Sequence, residues 1–162
     1  MAKSTFANPQ HMAIVVRDID KSIDYYQSLG MGPFKTPPPV NIKKRTESGK
    51  VDTSGAYKIR EAVGDMGPIR LQLIQPIEGK SIYREFLDSK GEGVHHYAFV
   101  VDDIEKEEAE FTKKGVEILS SVRLEGGGGH IIINTAVMGG ILIELMQPPA
   151  GWLKKSADAL KK

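Results

Sequence analysis

Apolar positions fall into short continuous runs and helix-spaced stretches, and the same succession occurs twice. Residues 11–16 form an apolar run with β-branched Ile14, Val15 and Val16, which predicts a buried strand. Asp18 or Asp20 then offers an N-cap, Ile19, Ile23, Tyr26 and Leu29 recur at helical spacing, and Gly30 supplies a left-handed stop. Tyr57 to Val63 and Ile69 to Ile74 predict two strands around a turn at Gly64-Asp65-Met66-Gly67-Pro68. The phrase His11-Met12-Ala13-Ile14-Val15-Val16-Arg17-Asp18-Ile19 returns as His96-Tyr97-Ala98-Phe99-Val100-Val101-Asp102-Asp103-Ile104 at an offset of 85 (96 − 11). Tyr26 and Gly30 answer to Phe111 and Gly115 at the same offset, and the run around Gln72 returns around Glu144 at an offset of 72 (144 − 72).

The chain is therefore a tandem duplication in which each half reads β-α-β-β-β, an α+β architecture. Two such modules, spanning residues 9–76 and 94–149, are expected to form one domain over 9–149, with one curved mixed sheet around a central cleft. The offsets differ by 13 residues (85 − 72), and the extra length is assigned to residues 31–55. There Pro37-Pro38-Pro39 and a polar run with Lys43-Lys44-Arg45 predict a loop. Residues 77–93 predict a short connecting helix carrying Ile82, Tyr83, Phe86 and Leu87. In the second half Asp102 or Asp103 caps the helix, Val116 to Val122, His130 to Thr135 and Gly140 to Met146 predict strands, and Gly126 to Gly129 a turn. That glycine run is too irregular for a phosphate loop and predicts a hinge or lid turn. The basic tail, residues 150–162, predicts a terminal helix.

At 162 residues, one domain with a substantial core is expected. The 22 basic and 21 acidic side chains nearly cancel, so no global field points to nucleic acid or an anionic membrane, and a small molecule is the expected partner. The absence of cysteine excludes thiolate chemistry. The first ten residues lack the apolar core of a signal peptide, and no apolar run approaches membrane-spanning length. A cytoplasmic location is the expectation.

Four polar residues interrupt otherwise apolar strands at matched repeat positions: His11 with His96, and Gln72 with Glu144. Burying an unpaired imidazole, amide or carboxylate costs several kcal/mol, so something must compensate each of them. Pseudo-symmetry would gather the four around one cleft. Two nitrogens and two oxygens suit one divalent ion such as Co, Mn, Zn, Ni or Fe, with positions left for water or substrate. A single histidine opening a strand, or Glu144 on a half-exposed strand, has an ordinary structural reading. Four at matched positions favour the metal site. His95 and His130 are read as surface, outer-sphere or substrate-contact residues. Lys43-Lys44-Arg45 is read as a solvated loop.

With H-x-A-x-V-V-x-D-I opening the halves, I-x-L-Q-L and G-G-x-L-I-E-L closing them, the chain resembles the vicinal oxygen chelate superfamily. Glyoxalase I, extradiol dioxygenases, bleomycin-resistance proteins and methylmalonyl-CoA epimerase belong to it. The resemblance covers residues 10–149, and Gly91-Glu92-Gly93-Val94-His95-His96 with Val101-Asp102-Asp103-Ile104 is most similar to the epimerase group. It implies His11, Gln72, His96 and Glu144 as metal ligands, Glu144 as a catalytic carboxylate, and a homodimer. It also implies enolisation of a chelated acyl-CoA, most similar to epimerisation of methylmalonyl-CoA. A second glutamate of the epimerase pattern falls on Thr53, which cannot act as a carboxylate base; Asp52 and Glu61 are the nearby substitutes. The alternatives are a glyoxalase I type lyase acting on a glutathione adduct, an extradiol dioxygenase, and a metal-free sequestering protein of the bleomycin-resistance kind.

Overall fold

The computed structural model describes residues 4–51 and 57–151. Asp52, Thr53 and the expected tail helix from residue 152 onward lie outside the described residues. The elements in chain order are β1 (Pro9–Val15), α1 (Ile19–Ser28), β2 (Ile42–Glu47), β3 (Lys50–Val51), β4 (Lys58–Met66), β5 (Ile69–Glu78), α2 (Ile82–Lys90), β6 (Gly93–Val100), α3 (Ile104–Lys113), β7 (Ile118–Leu124), β8 (Gly129–Ile133) and β9 (Leu142–Gln147), with a 3₁₀ turn at Ala136–Met138. This is the α+β, glyoxalase-like architecture expected from the duplication. Among the described residues no helix is long and apolar enough to cross a membrane.

The described residues gather into two compact units, one of residues 10–38 and 57–97, the other of residues 4–9, 39–51 and 98–151. In the first, the strand order is β6-β1-β5-β4. β1 runs parallel to β5 with His11 opposite Arg70 and Ala13 opposite Gln72, and β4 runs antiparallel to β5 with Val63 opposite Gln72. Helix α1 begins at Asp18, whose side chain accepts from the Lys21 backbone N–H at 3.1 Å. That backbone donor holds the Asp18 carboxyl below its ordinary range. The helix lays Ile19, Ile23 and Tyr26 against Met12, Ile14, Leu71 and Leu73. Side chains alternate along a strand, so the face away from α1 carries His11, Ala13 and Val15 from β1 and Gln72 from β5.

The second unit has the order β3-β2-β7-β8-β9, with the last residues of β6 beside β9. Its helix α3 is capped by Asp103, which accepts from the Lys106 N–H at 3.0 Å. Ile104 and Phe111 pack on Phe99, Ile131, Ile133, Ile143 and Leu145. Antiparallel registers line up Glu47, Ser120, Ile132 and Glu144 in one cross-strand row on the face away from α3.

The segment expected as a loop contains a strand. Residues 42–47 pair antiparallel with β7, Arg45 opposite Val122 and Glu47 opposite Ser120. Its sequence, IKKRTE, has no apolar alternation because the outer half of the strand is exposed; the pairing with β7 is what orders it. Lys43, Lys44 and Arg45 are therefore strand residues. At the glycine run, a Cβ on Gly128 would lie 2.2 Å from the Gln147 carbonyl oxygen and one on Gly129 2.0 Å from that of Val122. Backbone crowding, with positive φ, explains these two glycines.

Candidate metal and proton-transfer site

His11 sits in the third position of β1, 7% exposed, and His96 in β6 is fully buried. The structure brings the two rings together: Nε2 of His11 is 3.2 Å from Nε2 of His96, with the planes at 72°. The Nδ1 of His11 bonds the side-chain oxygen of Gln10. An amide oxygen only accepts, so a His11 that carries its proton on Nδ1 would donate to Gln10 and keep a lone pair on Nε2.

Gln72 lies on the same face of β5, in the register position of Ala13, two residues along from His11. Its Nε2 donates to Glu61 Oε1 of β4 at 3.2 Å, while its buried Oε1 has no hydrogen-bond partner among the described residues. Glu61 is half-buried, on the same face as Val63 and Gln72. It thus orients the amide with the oxygen left over. Glu144 belongs to the second unit, 7% exposed in the middle of β9 opposite Ile132. On that unit's same face Ser120 Oγ donates to Glu47 Oε1 at 3.0 Å, and half-buried His130 stands opposite Met146.

The donor set can be tested against a divalent ion from the first unit alone. Two nitrogens bound to one ion at about 2.0–2.1 Å stand about 2.9 Å apart at a right angle and about 3.3 Å apart at the tetrahedral angle. The observed 3.2 Å falls between these. An amide oxygen that is buried without a donor costs about 1–3 kcal/mol, and a cation would relieve that cost. The residues fit a borderline divalent metal bound by imidazole and oxygen ligands.

Glu61, named from the sequence with Asp52 as a nearby substitute, is brought beside Gln72 by the hairpin. The signal was available in the hairpin: the tight turn at Gly67-Pro68 sets β4 against β5 so that Val63 faces Gln72, and Glu61, two residues earlier, shares that face. His95, read as a surface, outer-sphere or substrate-contact residue, is 1% exposed and touches His96 rather than solvent.

Comparison with known proteins places these residues in a family context. Residues 10–133 match the model of the glyoxalase/bleomycin resistance protein/dioxygenase superfamily. The chain is 28% identical over 99 residues to the uncharacterized protein YqjC of Bacillus subtilis, covering 60% of this chain and 71% of that one. It resembles the crystal structure of methylmalonyl-CoA epimerase from Mycobacterium tuberculosis at 26% identity and a TM-score of 0.65, covering 97% of this chain and 96% of that chain. A Streptomyces coelicolor methylmalonyl-CoA epimerase variant in complex with 2-nitronate-propionyl-CoA is similar at 26% identity and a TM-score of 0.67, over 90% and 96% of the two chains. With the duplicated strand-helix pattern, the α+β fold and a family model matching most of its length, the chain belongs to the glyoxalase/bleomycin resistance protein/dioxygenase superfamily.

Proposed function

We propose that the protein is a divalent-metal enzyme that moves a proton at the carbon next to a thioester carbonyl, with methylmalonyl-CoA or a related acyl-CoA as substrate. His11, Gln72, His96 and Glu144 are the proposed ligands. The observation that carries the reading is the Gln72 amide. Glu61 holds its nitrogen, and its buried oxygen has no hydrogen-bond partner among the described residues, on the sheet face that also carries His11, whose Nε2 stands at ligand spacing from that of His96.

When bound, the ion would polarise the substrate's carbonyl and carboxylate oxygens and favour loss of the proton between them. The remaining work falls to side chains of the protein. Glu61 is proposed to take the α-proton from one face, and Glu144 to deliver a proton to the other, so that one C–H bond breaks, one forms and the configuration inverts. Glu61 replaces Thr53 as the candidate for this role, since a threonine hydroxyl is not a carboxylate base. Glu61 is half-buried, and one of its carboxylate oxygens is engaged with the Gln72 amide. The epimerase complex with methylmalonyl-CoA that the fold resembles at 26% identity supports the substrate class.

The test is exchange of the C2 proton of methylmalonyl-CoA with solvent deuterium, in protein loaded with Mn(II) or Co(II). Wild type should exchange, and Glu61→Gln should lose about 10²–10⁴-fold in exchange rate with metal affinity little changed. Absence of exchange by metal-loaded wild type rejects the reaction. Exchange by Glu61→Gln at the wild-type rate rejects Glu61. Formation of S-lactoylglutathione from the glutathione hemithioacetal, in place of exchange, would move the assignment to a lyase.

A further inference from the structure

His95 shares a hydrogen bond with His96, their Nδ1 atoms 2.9 Å apart, and both are buried. Neighbouring residues of a regular strand project to opposite faces, yet these two rings meet at 83° with centroids 5.2 Å apart. The His95 ring is held by α2: Tyr83 lies 4.9 Å from it, centroid to centroid, and Phe86 lies 5.1 Å from it at 75°. Helix α2 is itself fixed at its start by Ser81, which accepts from the Arg84 N–H.

The hydrogen bond has two proton arrangements with opposite consequences. If His95 donates, His96 carries its proton on Nε2 and points it at His11 Nε2, which occupies the space a cation would need. If His95 accepts, His96 is protonated on Nδ1 and both Nε2 lone pairs face the same point. We infer that His95 is a positioning residue: by accepting from His96 Nδ1 it fixes the tautomer and ring orientation in which His96 can bind a metal. The inference rests on the metal reading above. A ligating imidazole commonly donates its other N–H to an outer partner, and losing that partner costs about 10–100-fold in metal affinity. Here the partner is a second imidazole clamped by two aromatic rings, so α2, which contributes no ligand, governs ligand geometry.

The experiment compares His95→Asn with His95→Gln in the full chain. The amide of asparagine reaches the position of Nδ1, and that of glutamine the position of Nε2. Co(II) affinity is measured by competition with a chromophoric chelator, together with the visible Co(II) spectrum and the melting temperature of the metal-free proteins. His95→Asn should bind Co(II) within about threefold of wild type with its spectrum kept, and His95→Gln should lose about 10–100-fold with an altered spectrum. Equal affinities for all three proteins, or equal losses in both variants, overturn the positioning role. Wild type that binds no Co(II) overturns the metal reading itself, a result distinct from either. Should one variant fold poorly, its metal-free melting temperature reveals it, and the spectrum of the other against wild type decides: a changed spectrum in Asn overturns the role, and a retained spectrum in Gln does so too.

Discussion

Replacing Gln72 with leucine separates the amide's two engagements, because one stabilises the metal-free fold and the other does not. The substitution removes a hydrogen bond from the Gln72 amide to the Glu61 carboxylate, and bonds to charged groups contribute about 1.5–3 kcal/mol. It also removes a buried oxygen without a partner, whose burial costs about 1–3 kcal/mol. The two nearly cancel, so metal-free Gln72→Leu should lie within about 1.5 kcal/mol of wild type. With ligand present the proteins should diverge. Metal at a hundred times its Kd stabilises wild type by about 2.7 kcal/mol, and a hundredfold weaker site leaves about 0.4 kcal/mol at the same concentration. At about 2–4 °C per kcal/mol for a chain of this size, metal should raise the wild-type Tm by about 5–10 °C and the variant's by about 1–2 °C. Differential scanning calorimetry with and without Co(II) measures both. A metal-induced shift equal to wild type would refute ligation by the amide, and a metal-free loss well beyond 3 kcal/mol would show a structural role instead.

Two further outcomes test the scaffold. Gly129→Ala should cost about 3 kcal/mol or more, since its Cβ meets the Val122 carbonyl at 2.0 Å, whereas Gly127→Ala, with nothing within 4 Å, should cost only the left-handed backbone, about 1–2 kcal/mol; urea midpoints of the pair provide the comparison. Arg123, its charged form favoured by Glu105 and Glu108 despite its burial, holds the Glu105 carboxyl below its ordinary range through a 2.6 Å hydrogen bond. The unfolded chain binds that proton more readily, so this stabilisation is present above the ordinary carboxylate range and fades as pH falls through the lowered value. Arg123→Gln should therefore be less stable than wild type at neutral pH, and the gap should narrow on acidification. A gap that stays constant from pH 7 to strongly acid conditions, measured by urea denaturation, would refute the linkage.

Much of the fold was legible because the duplication states each element twice. His11 and His96 sit near the starts of matching strands, and Asp18 and Asp103 cap matching helices with the same three-residue hydrogen bond. What escaped lacks a local signature. Strand β2 is charged and half exposed, and its long pairing is with β7, 73 residues away between Glu47 and Ser120. Glu61 could be named only as one of two nearby substitutes, for a related reason. Its importance comes from the hairpin register that sets it beside Gln72, while a match by nearby glycine pointed to Thr53, outside the described residues. His95 answers to Gln10 at the offset of 85, and each of the two meets the Nδ1 of the histidine that follows it; because the residue types differ, the repeat did not flag the pair.

The two units interleave along the backbone in a way that limits how this protein can be taken apart. The polypeptide passes from one to the other four times, after residues 9 and 38, between residues 51 and 57, and after residue 97 within β6. Cutting the gene at the repeat boundary would release a front half still carrying β2, whose hydrogen-bonding neighbour β7 is encoded in the rear half. A split reporter or a half-length ancestor built by simple truncation would strand that segment. Reassembly would need the back half supplied in trans, or a permuted chain whose new ends leave β2 and β7 on the same fragment.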